Sequence, residues 1–248
     1  MQWSDTGIVL SVRKHGETSA IVSLLTQEHG RHPGLVRGGI GRRKRGVLQP
    51  GNEVAATWRA RLPEQLGSFT MELTAARAAA FLDDQLRLAA LSAACAVVET
   101  TLPEREAHPM AFAGLMALLA ALDKDTWPAL YVRWEIDLLS ELGFGLDLSR
   151  CAATGATEGL SFVSPRTGRA VSREAGEAYA SRLLPLPGFL TGAADDPGSW
   201  SWGDIRDGLA LTGYFLERHV LAPHNVGVPP ARLRLAGQIA DKATTSGV

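Results

Sequence analysis

The first 75 residues alternate in short stretches broken by glycine. Thr6-Gly7-Ile8-Val9-Leu10-Ser11-Val12 is rich in β-branched residues and predicts a strand that turns at His15-Gly16-Glu17. Ala20-Ile21-Val22-Ser23-Leu24-Leu25-Thr26 predicts its partner, ended by Glu28-His29-Gly30. Gly34 to Arg37 predicts a third, shorter strand, and Glu53 to Arg59 and Ser68 to Leu73 complete a set of five. Strands this short and this closely spaced suggest a small barrel or sandwich. Five of them fit the size of an oligonucleotide/oligosaccharide-binding (OB) barrel, although composition does not separate that from an SH3-like barrel.

Beyond residue 75 the chain turns to alanine and leucine at helical spacing. Ala75 to Val98 predicts a long helix, interrupted near Asp83-Asp84, and Glu104 to Leu122 a second, with Pro103 suited to its first turn. Pro128 opens a third, in which Tyr131, Trp134, Leu138 and Leu142 share one apolar face and Gly143 and Gly145 mark the end. Residues 146–171 break this pattern and predict a short irregular insert with a hairpin, Leu160 to Val163 followed by Pro165 to Gly168. Helical spacing returns at 172–183 and at 203–221, where Ile205, Leu209, Leu216 and Val220 share a face. The stretch from Leu184 to Trp202, with Pro185, Pro187, Gly188 and Pro197, predicts a loop, and a polar tail begins at Thr244. The organisation expected is a strand domain over 1–76 and a helical domain over 77–248 that carries the insert at about 146–171.

Composition narrows the class. With 46% hydrophobic residues the chain can offset its ordering entropy, which excludes global disorder. Two cysteines, Cys95 and Cys151, cannot build a disulfide framework. The start lacks the basic and apolar regions of a signal peptide, and the longest apolar stretch, Met110 to Leu122, falls short of the ~20 residues of a membrane span. A soluble protein of the cytoplasm, with no membrane partner, is expected. The net charge of −1 hides a segregation: residues 1–61 carry +6 and the remainder −7. A basic front on an acidic rear suggests an oriented surface for a polyanion.

The cations concentrate between Arg31 and Arg45. This segment holds Arg31, Arg37, Arg42, Arg43, Lys44 and Arg45, no acid, and the glycines Gly34, Gly38, Gly39 and Gly41. Cations on a flexible, glycine-hinged loop suit an irregular phosphate backbone, because each neutralised phosphate releases counterions. Arginine also grips phosphate with its fork and stacks on bases. Gly41 and Gly46 have the spacing of a nucleotide P-loop, but Val47-Leu48 stand where the lysine and hydroxyl are required. His29 and His32, three apart in a turn, are expected to add hydrogen bonds to phosphate beside the loop, and His219 to pack within its helix. Trp3, Trp58 and Phe69 are the aromatics at hand for base stacking, with Trp58 and Phe69 read as barrel core. No GxSxG elbow and no HxH or HExxH metal cluster is present, so neither a hydrolase nor a nuclease finds an anchor. A generic OB-fold RNA- or ribosome-associated protein remains the alternative.

Several blocks together resemble the RecO family of bacterial recombination mediators. Gly7-Ile8-Val9-Leu10, Gly16-Glu17 and Leu24-Leu25-Thr26-x-x-x-Gly30-Arg31 look like the family's opening hairpin. Arg37-Gly38-Gly39, the basic run and Leu48-Gln49-Pro50-Gly51 are similar to its signature loop. Arg133-Trp134-Glu135-x-x-Leu138-Leu139-x-x-Leu142-Gly143-Phe144 resembles the helix leading into its zinc-binding insert, and Phe162-Val163-Ser164-Pro165 with Gly168-Arg169-Ala170-Val171-Ser172 the rest of that insert. The resemblance implies an α+β chain: an N-terminal five-stranded OB-fold β-barrel, then an α-helical domain with a short degenerate zinc-ribbon-like insert.

It also implies binding to single- and double-stranded DNA, annealing of complementary strands and no ATP hydrolysis. The implied partners are RecR and the C-terminal tail of single-stranded DNA-binding protein, with loading of RecA as the outcome, in the cytoplasm at the nucleoid. Some family members hold zinc with four cysteines in the insert. Here only Cys151 remains, with Thr154, Ala170 and Ser172 near the other places, so no bound zinc is expected. The partner's tail is acidic and ends in an apolar residue, which calls for an apolar groove beside a cation. Arg133, flanked by Tyr131 and Trp134, is the candidate, with Arg77, Arg87 and Arg105 behind it.

Overall fold

Five strands close a barrel near the amino end: β1 (Gln2–His15), β2 (Ser19–Thr26), β3 (Gly30–Val36), β4 (Glu53–Arg59) and β5 (Ser68–Ala75). The computed structural model describes residues 1–191 and 200–246, which pack as two compact units. One comprises Met1–Ala120 with Pro229–Arg232, the other Ala121–Val228 with Leu233–Val248. The barrel order is β1-β2-β3-β5-β4, with β1 bonded to both β2 and β4 and β3 meeting β5 in parallel at Leu35 and Ser68. This is the OB arrangement, and it sets aside an SH3-like barrel. Val9, Val22, Leu24, Val36, Val54, Trp58, Phe69 and Met71 fill the interior. Trp58 and Phe69 are core, as their strand positions suggest, and the Trp58 indole donates to the Leu66 carbonyl at 3.0 Å.

Two strands run further than the hydrophobic pattern indicates. β1 begins at Gln2 because its first residues pair through polar side chains: Arg59 Nε donates to Gln2 Oε1 at 2.8 Å, and the Ser4 and Thr57 hydroxyls meet at 2.8 Å. β3 begins at Gly30 because its inward positions include Gly30, His32 and Gly34. A Cβ on Gly34 would lie 2.4 Å from the Phe69 ring, so the strand can pass there only as glycine.

His32 and His29 are not placed to touch phosphate. His32 is buried among Trp3, Trp58 and Phe69, with ring centroids 5.1, 4.9 and 6.0 Å away, and its Nδ1 donates to the Pro33 carbonyl at 2.9 Å. His29 stacks on Trp3 at 4.0 Å and 8°, and its Nδ1 lies 2.9 Å from Asp5 Oδ2. The strand period puts His32 inside, whereas His29 stays in the turn before β3, half-buried and tied to Asp5.

The first unit continues through α2 (Gln85–Thr101) and α3 (Pro109–Ala121), defined here after a short 3-10 turn at Ala78–Phe81. A basic turn, α1 (Arg42–Arg45), is described below. Asp84 caps α2 by accepting from the amides of Leu86 and Arg87, which accounts for the break at Asp83-Asp84. α3 starts five residues later than the expected Glu104. Residues 104–106 are held by β3 instead: the Arg105 amide donates to the Arg31 carbonyl at 2.8 Å, and Arg105 adopts φ +63°.

In the second unit α4 (Trp127–Glu141) presents Tyr131, Trp134 and Leu138 to the core. The insert contains β6 (Leu160–Val163) and β7 (Ala170–Ser172), and the sheet order β7-β6-β8 adds β8 (Leu184–Pro185). β8 lies in the stretch expected to be loop; two residues are too short to carry a period. Residues 192–199 of that stretch, including Pro197, lie outside the described residues. α5 (Arg173–Gly176) and a 3-10 segment precede α6 (Trp202–Phe215), which Ser201 and Asp204 cap reciprocally, and a π-helical stretch spans Leu216–Leu221. A further helix, α7 (Pro230–Ser246), was not visible in the pattern, since its buried residues Leu235 and Ile239 are sparse among polar ones.

Burial holds the His32 imidazole below its ordinary value of 6.5, partly opposed by its bond to Pro33, with Arg105 and His29 adding to the lowering and Glu104 opposing it. The unfolded chain therefore binds the proton more readily than the folded one. The stability this neutral ring contributes is present above pH 6.5 and lost as pH falls below it. Denaturant midpoints measured between pH 7.5 and 5.5 should fall less in His32→Phe than in the wild type; parallel declines would contradict this.

Candidate nucleic-acid interface

Between β3 and β4 the chain carries five cations, Arg37, Arg42, Arg43, Lys44 and Arg45, and no acid. Arg37 leaves β3 exposed, Gly38 turns the backbone at φ +66°, and Arg42–Arg45 form α1. The flexible loop expected there contains one helical turn instead. The amides of Lys44 and Arg45 donate to the Gly41 carbonyl at 3.0 and 3.1 Å, and those of Val47 and Leu48 to the Lys44 carbonyl at 3.0 and 2.9 Å.

The turn is anchored at both ends. On the entering side the Ile40 amide donates to the Thr18 carbonyl at 3.2 Å, and a Cβ on Gly39 would lie 2.8 Å from that of Ala20. On the leaving side Leu48 is buried in the barrel core and Asn52 acts as a clamp. Its Nδ2 donates to the carbonyls of Gly46 and Val47 at 2.7 and 3.2 Å, and its Oδ1 accepts from the Ala78 amide at 3.2 Å. Asn52 is 1% exposed. It was missed in the sequence; the Pro50-Gly51-Asn52 run signals a turn and nothing more.

The cations themselves point outward. Arg37, Arg42, Arg43 and Arg45 are exposed and Lys44 is half-buried. None of the five has a carboxylate partner among the described residues. Arg45 also borders a cavity of about 330 Å³ whose wall includes Val12, Ile40, Leu48 and Pro50. Arg31 belongs elsewhere. Its Nε donates to the Leu102 carbonyl at 2.8 Å, its Nη1 lies 3.2 Å from Glu104 Oε1, and its side chain is 17% exposed. It ties β3 to the segment after α2.

The structure also separates the second predicted group. Tyr131 and Trp134 are 1% and 5% exposed, with rings 5.4 Å apart at 63°, so they pack in the core rather than beside an open groove. Their membership of the apolar face of α4 dictates this. Arg133 lies off that face and donates through Nη2 to the Phe189 carbonyl at 2.5 Å. It borders a different recess of about 400 Å³, lined with Ile136, Leu148, Phe189 and Leu190, together with Asp137. Burial raises the Asp137 carboxyl while Arg133 lowers it. Of the weaker candidates, Arg77 pairs with Glu53 at 3.2 Å, Arg87 with Asp84 at 2.8 Å, and Arg105 donates to the carbonyls of Pro63 and Gln65.

Cys151 is buried and its Sγ accepts from the Ser172 amide at 3.2 Å. Burial pushes the thiol up, but hydrogen bonds from Ser172 and Thr154 outweigh it and bring it down to about 6. One sulfur with two hydroxyl-bearing neighbours does not fit tetrahedral zinc, which requires four nitrogen or sulfur donors. The hydroxyl and amide donors satisfy the sulfur instead. The other cysteine, Cys95, is fully buried in α2 with its thiol pushed up to about 12, mainly by burial.

Two family models cover most of the chain: the recombination protein O N-terminal model matches residues 1–77 and the C-terminal model residues 82–226. The DNA repair protein RecO of Rhodospirillum centenum is 55% identical over 250 residues, covering 100% of this chain and 98% of that protein. That of Rhodospirillum rubrum is 52% identical, covering 96% of each, and that of Caulobacter vibrioides strain NA1000 is 52% identical, covering 97% and 98%. An OB barrel followed in the chain by helices and near-complete alignment to these proteins have one reading: the chain belongs to the RecO family of DNA repair proteins.

Proposed function

We propose that this member of the DNA repair family binds single- and double-stranded DNA without regard to sequence, anneals complementary strands and, with RecR, loads RecA onto DNA coated by single-stranded DNA-binding protein. The observation that carries the reading is the clamped basic turn: Arg37, Arg42, Arg43, Lys44 and Arg45 stand together in sequence, with no carboxylate partner among the described residues. Annealing without a nucleotide requires two like-charged strands to approach. Unpaired guanidinium groups screen that repulsion through the phosphates and leave base edges free to pair. The aromatic residues of the barrel are largely buried, so charge dominates over stacking on this surface. The chain acts as a binding protein rather than an enzyme, in the cytoplasm at the nucleoid; among the described residues no helix is long and apolar enough to cross a membrane.

Replacing Arg42, Arg43, Lys44 and Arg45 together with glutamine should slow annealing of complementary oligonucleotides about tenfold or more while the melting temperature holds. Undiminished annealing would overturn the reading. An RNA-binding role instead predicts that matched RNA outcompetes single-stranded DNA.

Arg133 is the proposed contact for the acidic tail of the single-stranded DNA-binding protein. The apolar walls Ile136, Leu148 and Leu190 would take its terminal apolar side chain, in place of the aromatic pair expected from sequence. Arg133→Glu should abolish binding of a tail peptide and leave affinity for free DNA within about twofold, since the basic turn is untouched; equal loss of both would contradict the separation of roles. The insert is proposed to work without zinc, held by the packing of Leu160, Val163 and Val171 and by the hydrogen bonds to Cys151. Metal analysis of the purified chain should find zinc far below one per molecule, and a stoichiometric ion would refute this.

A further inference from the structure

Phe144, His219 and Arg166 form a cluster that the basic turn does not use. α4 ends in a Schellman motif: Gly143 takes φ +86°, its amide donates to the Ser140 carbonyl at 3.0 Å, and the Phe144 amide reaches the Leu139 carbonyl at 2.8 Å. The backbone of Phe144 is thereby fixed, yet its side chain is left in solvent at 39% exposure. The His219 ring lies 5.7 Å from it at 34°. Behind His219, the buried Phe215 ring stacks at 5.6 Å and 16°. His219 rides on the π-helical stretch Leu216–Leu221, a backbone form that is rare and found often at functional sites.

The other wall comes from the turn between β6 and β7. The Gly168 amide donates to the Ser164 carbonyl at 2.9 Å, and a Cβ on Gly168 would lie 3.0 Å from Leu146 Cδ2, so the turn sits against the chain that follows Phe144. This brings Arg166 to the rim of a recess shared with Phe144 and His219. Arg166 is exposed and has no ion pair among the described residues, whereas its neighbour Arg169 is paired with Asp147 at 3.4 Å.

An aromatic ring in solvent, an imidazole and an unpaired guanidinium combine a stacking surface with an anion grip. A nucleobase joined to its phosphate presents both complements. Duplex bases are already stacked and offer no free face. We propose that this recess is a second contact for single-stranded nucleic acid, taking one unpaired base on Phe144 and the adjoining phosphate on Arg166. The proposal rests on the reading above that the chain binds nucleic acid.

The test uses the full chain with labelled oligo(dT) and oligo(U) of about 15 nucleotides and a hairpin duplex, each followed by fluorescence anisotropy. Phe144→Ala should weaken both single strands by roughly fivefold or more, because stacking acts on the base and not on the sugar, and should leave the duplex within about twofold. Arg166→Gln should also weaken single strands, and Phe144→Trp should restore wild-type affinity with an unchanged melting temperature. The polymer bound more tightly by the wild type identifies the natural strand. Unchanged affinity for single strands in Phe144→Ala, or an equal loss on the duplex, overturns the proposal. If the four-glutamine variant of the basic turn loses binding while Phe144→Ala does not, the recess fails and the basic-turn reading stands. If that variant binds like the wild type while Phe144→Ala loses affinity, the recess stands and the basic-turn reading fails.

Discussion

The clamp that Asn52 places on the basic turn is the constraint on which the proposed DNA-binding surface depends. Like charges on one helical turn repel each other, and a free loop would spread them apart. Here the backbone is closed instead: Asn52 holds the carbonyls of Gly46 and Val47, Leu48 is buried in the barrel, and Gly39 lies against Ala20. The side chains keep their freedom while the backbone loses it. Less ordering entropy is then left to be lost when a phosphate chain arrives, which favours binding for the same number of contacts.

Around that clamp the charges sort by whether a partner is present. Arg31, Arg77, Arg87 and Arg105 are tied to carboxylates or carbonyls within the first unit and serve the fold. The cations of the turn lack such ties, and a polyanion can neutralise them without first breaking an internal bond. The same distinction holds within the second unit, where Arg169 is paired with Asp147. Unpaired cations clustered on one turn, rather than net charge, mark the proposed surface; the chain as a whole carries only −1.

Much of this was legible in the residues. β4 and β5 show because Val54, Ala56, Phe69 and Met71 alternate with outward positions, β2 shows as an apolar run ended by a glycine turn, and the α4 face shows because aromatic and leucine side chains recur at helical spacing. The inward run Gly30-His32-Gly34 hid the start of β3, since neither residue type reads as apolar. Arg31 could not be told from its basic neighbours by sequence, because its partners Leu102 and Glu104 lie some seventy positions away. Tyr131 and Trp134 were already on the apolar face of their helix, and treating them as groove residues overlooked what that face must bury. Asn52 was invisible for a different reason: its role is carried by two backbone carbonyls and one amide, which leave no mark on composition.

The central claim is that the turn grips phosphates, and its most direct measure is the salt dependence of affinity for single-stranded DNA. With about four or five phosphates neutralised, log affinity against log salt should have a slope of roughly −3 in the wild type. With only Arg37 left, the four-glutamine variant should flatten to a slope of about −1. A wild-type slope near zero, or an equally steep variant, would contradict the account.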